Sequence, residues 1–344
     1  MSEQSSRGSI ECNQPRVPLS LECGERRARQ TLDNAGPQRH DAGMNTPVPN
    51  SGRACGKVIL LGEHFVVHGA PALAAPLRGW ETEVQLLPDA SVVDAPGVPR
   101  EEVVAALVIA CEAWGLLMPG IRVRSRLPMG AGLGSSAAFA MALARALAAT
   151  RPDDVGFSEI NRVADLLEKR VHGNPSGLDT AVVGLEALIR FERDGAPRPI
   201  ACAREGVLVV ADTGVPGSTM REVARVHAFA AREPDAFRGM LRETSDDVEK
   251  AIDALESGDF AALGVILDTT HARLQECGVS THSLDTLVSA ARAGGALGAK
   301  LTGAGGGGCV VALAREGEEA TLSKSLTDAG ACHVMRIRLP AGGR

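Results

Sequence analysis

The sequence has 344 residues, of which 44% are hydrophobic and 23% are charged, as is typical of a water-soluble globular protein. Because a single hydrophobic core stops growing at around 250 to 300 residues, the chain is expected to fold as two domains. A net charge of −6 and 3% aromatic residues argue against nucleic-acid binding, and no apolar run reaches the roughly 20 residues of a membrane-spanning helix.

The first 51 residues contain no Phe, Trp or Tyr and are rich in Ser, Gly, Pro, Asn and Gln, with six basic and six acidic residues. Such a segment has too little apolar area to offset the entropy of ordering it, so a disordered N-terminal extension is predicted over 1–51. Met44 lies just before the first strand-like stretch and is an alternative translation start.

The next part of the chain alternates between strand and helix patterns. The apolar runs 58–61 and 65–67 flank a polar turn, which predicts a buried strand, a turn and a second extended segment. Apolar residues recur at helical spacing over 100–118, whereas 121–125 alternates as in a half-buried strand. Residues 135–150 are crowded with Ala, Leu and Met and contain no Gly or Pro, which predicts a helix.

A helix over 157–171 comes next, then an extended segment over 185–191, a hinge at 195–199 and a strand over 207–211. Further helices are predicted over 217–232, 236–256, 259–275 and 281–294. A glycine run leads into a strand over 309–313. Mixed elements with strands in both halves predict two α+β domains, over 52–205 and 206–344.

Three alternating glycines precede the helix predicted from residue 135, whose first residues are serines. Glycine lets backbone N–H groups approach an anion closely, and the positive end of a helix favours phosphate. The pattern predicts a nucleotide phosphate site built from Pro128, Gly130, Ala131, Gly132, Leu133, Gly134, Ser135, Ser136 and Ala137. The alternative is a plain glycine turn with a serine N-cap.

Three other patterns do not fit their motifs. Residues 51–58 approach a Walker A loop, but the first Gly is out of register and a hydrophobic residue follows the Lys. Residues 303–308 match G-x-G-x-x-G, yet a strand pattern follows where a dinucleotide fold needs a helix, which argues against an NAD-binding oxidoreductase. His64 and His68 have zinc-pair spacing, but that spacing converges only on a helix, and this segment has the pattern of a strand and turn.

The eight cysteines are scattered, without a C-x-x-C pair or regular spacing. They are expected to be reduced thiols rather than a disulfide framework. The N-terminus lacks the apolar stretch of a secretory signal, so the predicted location is the cytoplasm.

Four segments together resemble the motifs of the GHMP kinases, namely 57–69, 128–138, 172–179 and 300–308. Their order and spacing agree over residues 53–340, and within the superfamily they are most similar to the mevalonate kinases. The resemblance implies an α+β fold with an N-terminal α/β domain, which carries the glycine-rich phosphate loop, and a ferredoxin-like C-terminal domain. It also implies transfer of the γ-phosphoryl group of ATP to the 5-hydroxyl of mevalonate, with Mg²⁺ as a cofactor. Dimers are common among such relatives, so a homodimer is expected.

The resemblance assigns roles residue by residue. Asp179 falls on the catalytic aspartate, expected to accept the proton of the substrate hydroxyl or to hold it in line, and Lys57 falls on the active-site lysine. Ser136 and Glu168 match the two Mg²⁺ ligands. The substrate-binding positions are Glu63, His64, Thr219, Gly303 and Ala304. Without the resemblance, Asp179 is interpreted as a turn residue, Lys57 as a surface lysine and Glu168 as part of a solvated helix face.

One position departs from the family pattern. Met220 stands where relatives often carry a basic residue, and Arg221 points about 100° away on a helix. The group that holds the acidic end of the substrate is therefore not predicted.

Two alternatives stay open. One is another GHMP kinase, with phosphomevalonate, homoserine or a sugar as its substrate; the segment 62–69 is more similar to mevalonate kinases. The other is a catalytically silent ligand-binding regulator on the same fold, which the presence of both catalytic residues and both metal ligands disfavours.

Overall fold

Two β-sheets with covering helices make up the part of the chain that the structure describes. The computed structural model describes residues 50–173 and 175–342. The strands are β1 (Ser51–Leu61), β2 (Ala72–Leu87), β3 (Val93–Asp94), β4 (Gly120–Ser125), β5 (Ile189–Phe191), β6 (Arg198–Pro199), β7 (Gly206–Asp212), β8 (Gly298–Thr302), β9 (Cys309–Leu313) and β10 (His333–Leu339). The helices are α1 (Arg100–Trp114), α2 (Ser135–Ala148), α3 (Phe157–His172), α4 (Leu178–Leu185), α5 (Thr219–Arg232), α6 (Pro234–Ser257), α7 (Phe260–Glu276), α8 (His282–Ala293) and α9 (Glu319–Asp328).

The first sheet is organised around the long strand β2. Its strand order is β3-β4-β2-β5-β6, and β1 also pairs with β2 along almost its whole length. The β3–β4 pair is parallel, and the other pairs are antiparallel. A Cβ at Gly52 of β1 would lie 2.1 Å from the carbonyl oxygen of Ala142, so glycine at this position lets α2 pack directly onto β1. This contact places the N-terminus of α2 beside the middle of β1.

The second sheet has the strand order β10-β7-β9-β8, with every pair antiparallel. Helices connect β7 to β8 and β9 to β10, whereas β8 and β9 follow each other directly. This is the β-α-β-β-α-β arrangement of ferredoxin-like domains. The predicted α+β fold with a ferredoxin-like second half is therefore confirmed.

One hydrophobic core is shared by the two sheets. Leu208 and Val210 lie on the same face of β7, because side chains alternate along a strand, and they belong to one buried cluster with Val58 and Leu60 of β1. Val209, on the opposite face, packs in a second cluster under α5, α8 and α9. The predicted boundary between residues 205 and 206 stays a prediction.

The outer edge of β8 is covered by polar side chains. The Ala299 N–H donates to Oδ1 of Asp268 at 2.9 Å, and the Leu301 N–H donates to Nδ1 of His271 at 3.3 Å. Nε2 of His271 lies 3.2 Å from Oδ1 of Asp285, so this nitrogen carries the ring proton. An open strand edge would expose unpaired backbone groups, and α7 supplies their partners here.

Most helices predicted from the sequence are confirmed, with ends displaced by a few residues. The helix predicted over 100–118 ends earlier, at Trp114, where Gly115 adopts a left-handed conformation with φ +64°. The strand predicted after the glycine run is β9. Within the described residues, no helix has the length and apolar character needed to cross a membrane. The extension predicted over 1–51, apart from its last two residues, and the alternative start at Met44 lie outside the described residues.

Three predicted elements are wrong. Residues 65–67 are not extended but form a 3₁₀ helix, Phe65–His68, because the backbone reverses at His64. The segment predicted as extended over 185–191 begins as the end of α4, a helix most of whose residues are buried, and becomes β5 at Ile189. The predicted hinge at 195–199 contains β6, which pairs with β5 at the edge of the first sheet.

We predict that His271 makes stability depend on acidity. Burial lowers the pKa of His271 from 6.5 to about 4, so the unfolded chain takes up a proton in this range that the folded chain does not. The contribution of His271 to the free energy of unfolding is therefore lost as the pH falls from 6.5 to 4, by on the order of 3 kcal/mol. Urea unfolding of wild type and His271→Asn at several pH values will show a flatter profile for the variant. His333→Asn, at an exposed position, is the control; parallel profiles for wild type and His271→Asn would contradict the prediction.

Candidate active site

The glycine-rich segment between β4 and α2 has the backbone expected of an anion-binding loop. Gly130, Gly132 and Gly134 have φ values of +70°, +77° and +72°, which residues with side chains rarely adopt. Gly134 is the N-cap of α2, and no side chain caps this helix, so the alternative of a serine N-cap is wrong. The first N–H groups of α2 have no acceptor within the helix, and the positive end of the helix dipole lies at the same place.

Lys57 joins the glycine-rich loop to Asp179. Its backbone N–H donates to the Leu133 carbonyl oxygen at 2.9 Å, and its ammonium group donates to the Gly132 carbonyl oxygen at 3.1 Å. Nζ also lies 3.3 Å from Oδ2 of Asp179. A Cβ at Gly134 would lie 2.8 Å from Cγ of Lys57, so only glycine gives the lysine room. Lys57 is therefore a fixed, buried cation beneath the loop rather than a surface lysine.

Asp179 lies in the first turn of α4, directly after Gly177, whose φ is +85°. Its side chain is 36% exposed, whereas that of Lys57 is 4% exposed. The carboxylate therefore faces solvent with the ammonium group behind it. A hydroxyl group placed against Asp179 would have a proton acceptor in contact and a positive charge nearby, which is what activation of an alcohol requires.

A second carboxylate, Glu168 of α3, is buried beside the start of α2. The Ser136 hydroxyl donates to Oε1 of Glu168, and Nε2 of His172 lies 3.5 Å from Oε2. Burial raises the pKa of Glu168, and the charge of Asp179 acts in the same direction, while Ser136 and His172 oppose the shift.

Glu63 and His64 form a tight turn at the end of β1. The chain reverses at Gly62, with φ +95°, and His64 itself has φ +62°, which is uncommon for a residue with a side chain. Nε2 of His64 lies 2.8 Å from the carbonyl oxygen of Ala304, so this nitrogen donates. Burial lowers the pKa of His64. The turn is held by a contact with the second sheet.

Lys300 is a site residue that sequence reasoning missed. It belongs to β8, it is completely buried, and its ammonium group donates to Oε1 of Glu63 and, at 2.6 Å, to the Leu301 carbonyl oxygen. Lys300 begins the segment 300–308, which resembles a GHMP kinase motif, but the resemblance assigned no role to this residue. A charged residue inside an otherwise apolar strand pattern is the signal that could have identified it, because a buried lysine requires an acidic partner.

The second glycine-rich segment, 303–308, packs against the first. A Cβ at Gly303 would lie 3.2 Å from the carbonyl oxygen of Gly132, and one at Gly308 would lie 2.9 Å from that of Ala131. Gly303 and Ala304 therefore lie between the loop and His64.

The start of α5 is less closely integrated. Thr219 is its first helical residue, and α5 approaches the second glycine segment at Gly217, where a Cβ would lie 2.6 Å from the Gly305 carbonyl oxygen. Among the described contacts, none joins the side chain of Thr219 to Glu63 or His64. Met220 is 85% exposed.

Arg221 does not take the place of the basic residue that is missing at position 220. Nε of Arg221 donates to Oε1 of the buried Glu222 at 3.0 Å. Glu222 also lies 3.4 Å from Nε of Arg225. The first turn of α5 is thus organised around Glu222.

The residues at the candidate site fit a magnesium ion shared with a nucleotide. The carboxylates of Glu63, Glu168 and Asp179 outnumber the two lysines by one negative charge when all are ionised. Hydroxyl and carboxylate oxygens are the donors that Mg²⁺ prefers, and it usually takes only one or two of them from protein. No group of three or more His, Cys, Asp or Glu able to hold a metal occurs in residues 50–173 and 175–342, so phosphate and water oxygens would complete the coordination.

Comparison with known proteins identifies the family. Residues 101–186 match the family model of the GHMP kinases N terminal domain, and residues 251–332 match that of the GHMP kinases C terminal domain. The chain is 35% identical over 286 residues to a mevalonate kinase of Aeropyrum pernix, covering 77% of this chain and 88% of the relative. A mevalonate kinase of Pyrococcus furiosus is 36% identical over 294 residues, covering 75% and 87%.

A solved structure agrees with these relatives. The crystal structure of L. major mevalonate kinase in complex with R-mevalonate matches with a TM-score of 0.78 and 30% identity, covering 87% of this chain and 98% of that one. Both domains of the family are matched in order, and the relatives are covered over most of their length. The chain belongs to the GHMP kinase family.

Proposed function

We propose that the chain is a mevalonate kinase, which transfers the γ-phosphoryl group of ATP to the 5-hydroxyl of mevalonate and forms 5-phosphomevalonate for isoprenoid synthesis. Membership of the GHMP kinases makes it an ATP-dependent small-molecule kinase. The choice of mevalonate is supported by the curated archaeal relatives and by the L. major enzyme, which binds R-mevalonate.

The observation that carries the proposal is the ion pair of Lys57 with Asp179 beside the loop. The loop and the first N–H groups of α2 hold the phosphates of ATP by this proposal, and Asp179 holds the acceptor hydroxyl in line with the γ-phosphorus. Asp179 accepts the hydroxyl proton, and Lys57 offsets the negative charge that develops on the oxygen. Because the Lys57 ammonium group also donates to the Gly132 carbonyl oxygen, it would hold Asp179, and the substrate hydroxyl bound there, at a fixed distance from the loop.

Ser136 and Glu168 would hold Mg²⁺, which would supply positive charge that offsets the negative charge of the phosphates. Ser136 lies at the N-terminus of α2, where the phosphates are proposed to bind, so an ion held there is shared with ATP. Glu168 is buried beside Ser136, so the two side chains offer a carboxylate and a hydroxyl oxygen at one place.

Glu63, His64, Gly303, Ala304 and Thr219 are proposed to line the acceptor pocket. The first four lie together, because His64 contacts Ala304 and the second glycine segment contacts the loop. We also propose a cytoplasmic location, and the homodimer stays a prediction that size-exclusion chromatography with light scattering would test.

An ADP-release assay with Mg·ATP and four acceptors tests the proposed function. We expect kcat/KM for mevalonate to exceed that for phosphomevalonate, homoserine and galactose by at least about 100-fold, because a site built around a substrate's polar groups rejects analogues that lack them. No turnover of any acceptor by folded protein would contradict a kinase, and preference for another acceptor would identify another GHMP kinase.

Asp179→Asn is expected to reduce kcat about 100- to 10,000-fold, because the amide cannot accept the proton of the hydroxyl. Binding of ATP, measured by calorimetry, should change less than about twofold, since Asp179 acts mainly in the transition state. Asp153→Asn is the matched control, because Asp153 is exposed and pairs with Arg151 at 2.8 Å. Turnover that survives in Asp179→Asn would mean that another group takes the proton.

Ser136→Ala is expected to raise the Mg²⁺ concentration for half-maximal rate by at least about tenfold, the lower end of what the loss of a supporting metal contact costs. Titration of Mg²⁺ at saturating ATP measures this requirement. Ser257→Ala, at an exposed position at the end of α6, is the control. Equal shifts in the two variants would argue against Ser136 as a ligand.

A further inference from the structure

The ion pair between Glu63 and Lys300 has no role in the phosphoryl transfer described above. Both side chains are buried, with exposures of 1% and 0%. Lys300 lies on β8 of the second sheet, and Glu63 follows β1 of the first sheet, so the pair connects two elements 237 residues apart in sequence.

Two other links cross between the same elements. Oγ1 of Thr302 accepts the Ile59 N–H at 3.0 Å and donates to the Ile59 carbonyl oxygen at 2.9 Å. His64 contacts the carbonyl oxygen of Ala304. The three links join residues 59–64 to residues 300–304, so the end of β8 and the turn after β1 lie alongside each other.

The two charges depend on each other. Burial raises the pKa of Glu63 and lowers that of Lys300, and in both cases the partner's charge is the main opposing effect. The charge of Lys57 also lowers the pKa of both groups. Apolar side chains of similar size would hold buried segments together at least as well as such a pair, so stability alone does not account for it.

One oxygen of the pair is left over. Oε1 of Glu63 accepts from Lys300, but Oε2 is buried and has no hydrogen-bond partner in the described residues. A buried acceptor without a donor is uncommon and costly. A polar group of a bound acceptor would satisfy it, since Glu63 is adjacent to His64 in the proposed pocket.

We infer that Lys300 is a positioning residue of the kinase: it fixes Oε1 of Glu63 so that Oε2 is presented to a hydroxyl group of the acceptor substrate. The inference rests on the proposed function. Lys300 itself does not touch the substrate and acts through Glu63. It therefore predicts an effect on acceptor binding that is separate from ATP binding.

Steady-state kinetics of Lys300→Met, Glu63→Gln and the double variant test this role. We expect Lys300→Met to raise KM for mevalonate at least about tenfold and to change KM for ATP less than about twofold, because the pair is proposed to contact only the acceptor. The double variant should be no worse than the worse single variant, since Lys300 acts through Glu63. Lys324→Met, which removes an exposed lysine paired with Asp328, should leave both KM values unchanged.

A pH profile separates positioning from a general loss of stability. Without Lys300, the pKa of Glu63 rises further, so the rise in KM for mevalonate in Lys300→Met should grow as the pH falls. Lys57 is the remaining charge that faces Glu63, and it is unchanged in both proteins. Lys300→Gln, which keeps an N–H donor but no charge, should show the same trend and replaces Lys300→Met if that variant does not fold.

The outcomes distinguish this inference from the proposed function. Wild-type turnover of mevalonate with an unchanged KM in Lys300→Met or Lys300→Gln overturns the inference alone, as do effects of Lys300 and Glu63 that multiply independently. No mevalonate turnover by folded wild-type protein overturns the proposed function, and the inference with it.

Discussion

A buried ammonium group must be matched by oxygen atoms, and at Lys57 these atoms come from two distant parts of the chain. The carbonyl oxygen of Gly132 and the carboxylate of Asp179 both lie within 3.3 Å of Nζ. Satisfying this one cation therefore requires β1, the glycine-rich loop and the start of α4 to meet at one point. The positions of the proposed phosphate-binding and proton-accepting groups follow from that requirement, because each is attached to an element that Lys57 holds.

The same region imposes a second constraint, which is close approach of backbone to backbone. Two glycine-rich segments touch at Gly132 and Gly303, at distances that a Cβ atom would make tight. Their contact brings the second sheet against the loop, while the shared core beneath β1 and β7 keeps the two sheets from separating. The glycines thus allow the two segments to touch, and the large apolar residues behind them hold the two sheets together.

Helices and the buried strand of the first half were predictable because the spacing of apolar residues reports local burial. The proposed site residues were identified because four motifs occur in order along the chain, and their roles stay predictions. Elements whose conformation depends on distant partners were not. No strand was predicted over 72–87, because Pro76 and Gly79 interrupt the strand pattern there. Yet β2 is the longest strand described, because pairing with strands on both sides stabilises it. The 3₁₀ helix after His64 and the role of Lys300 depend on contacts with residues more than 200 positions away, which a local pattern does not contain.

The left-handed backbone of His64 has a consequence for how the protein meets its substrate. A residue with a side chain in such a conformation carries strain on the order of 1 to 3 kcal/mol, and the surrounding contacts must hold it there. Those contacts are made by the chain itself, among them the hydrogen bond from His64 to Ala304, so the strain is introduced when the chain folds. In the proposed acceptor pocket, binding would therefore need no change of backbone conformation at His64.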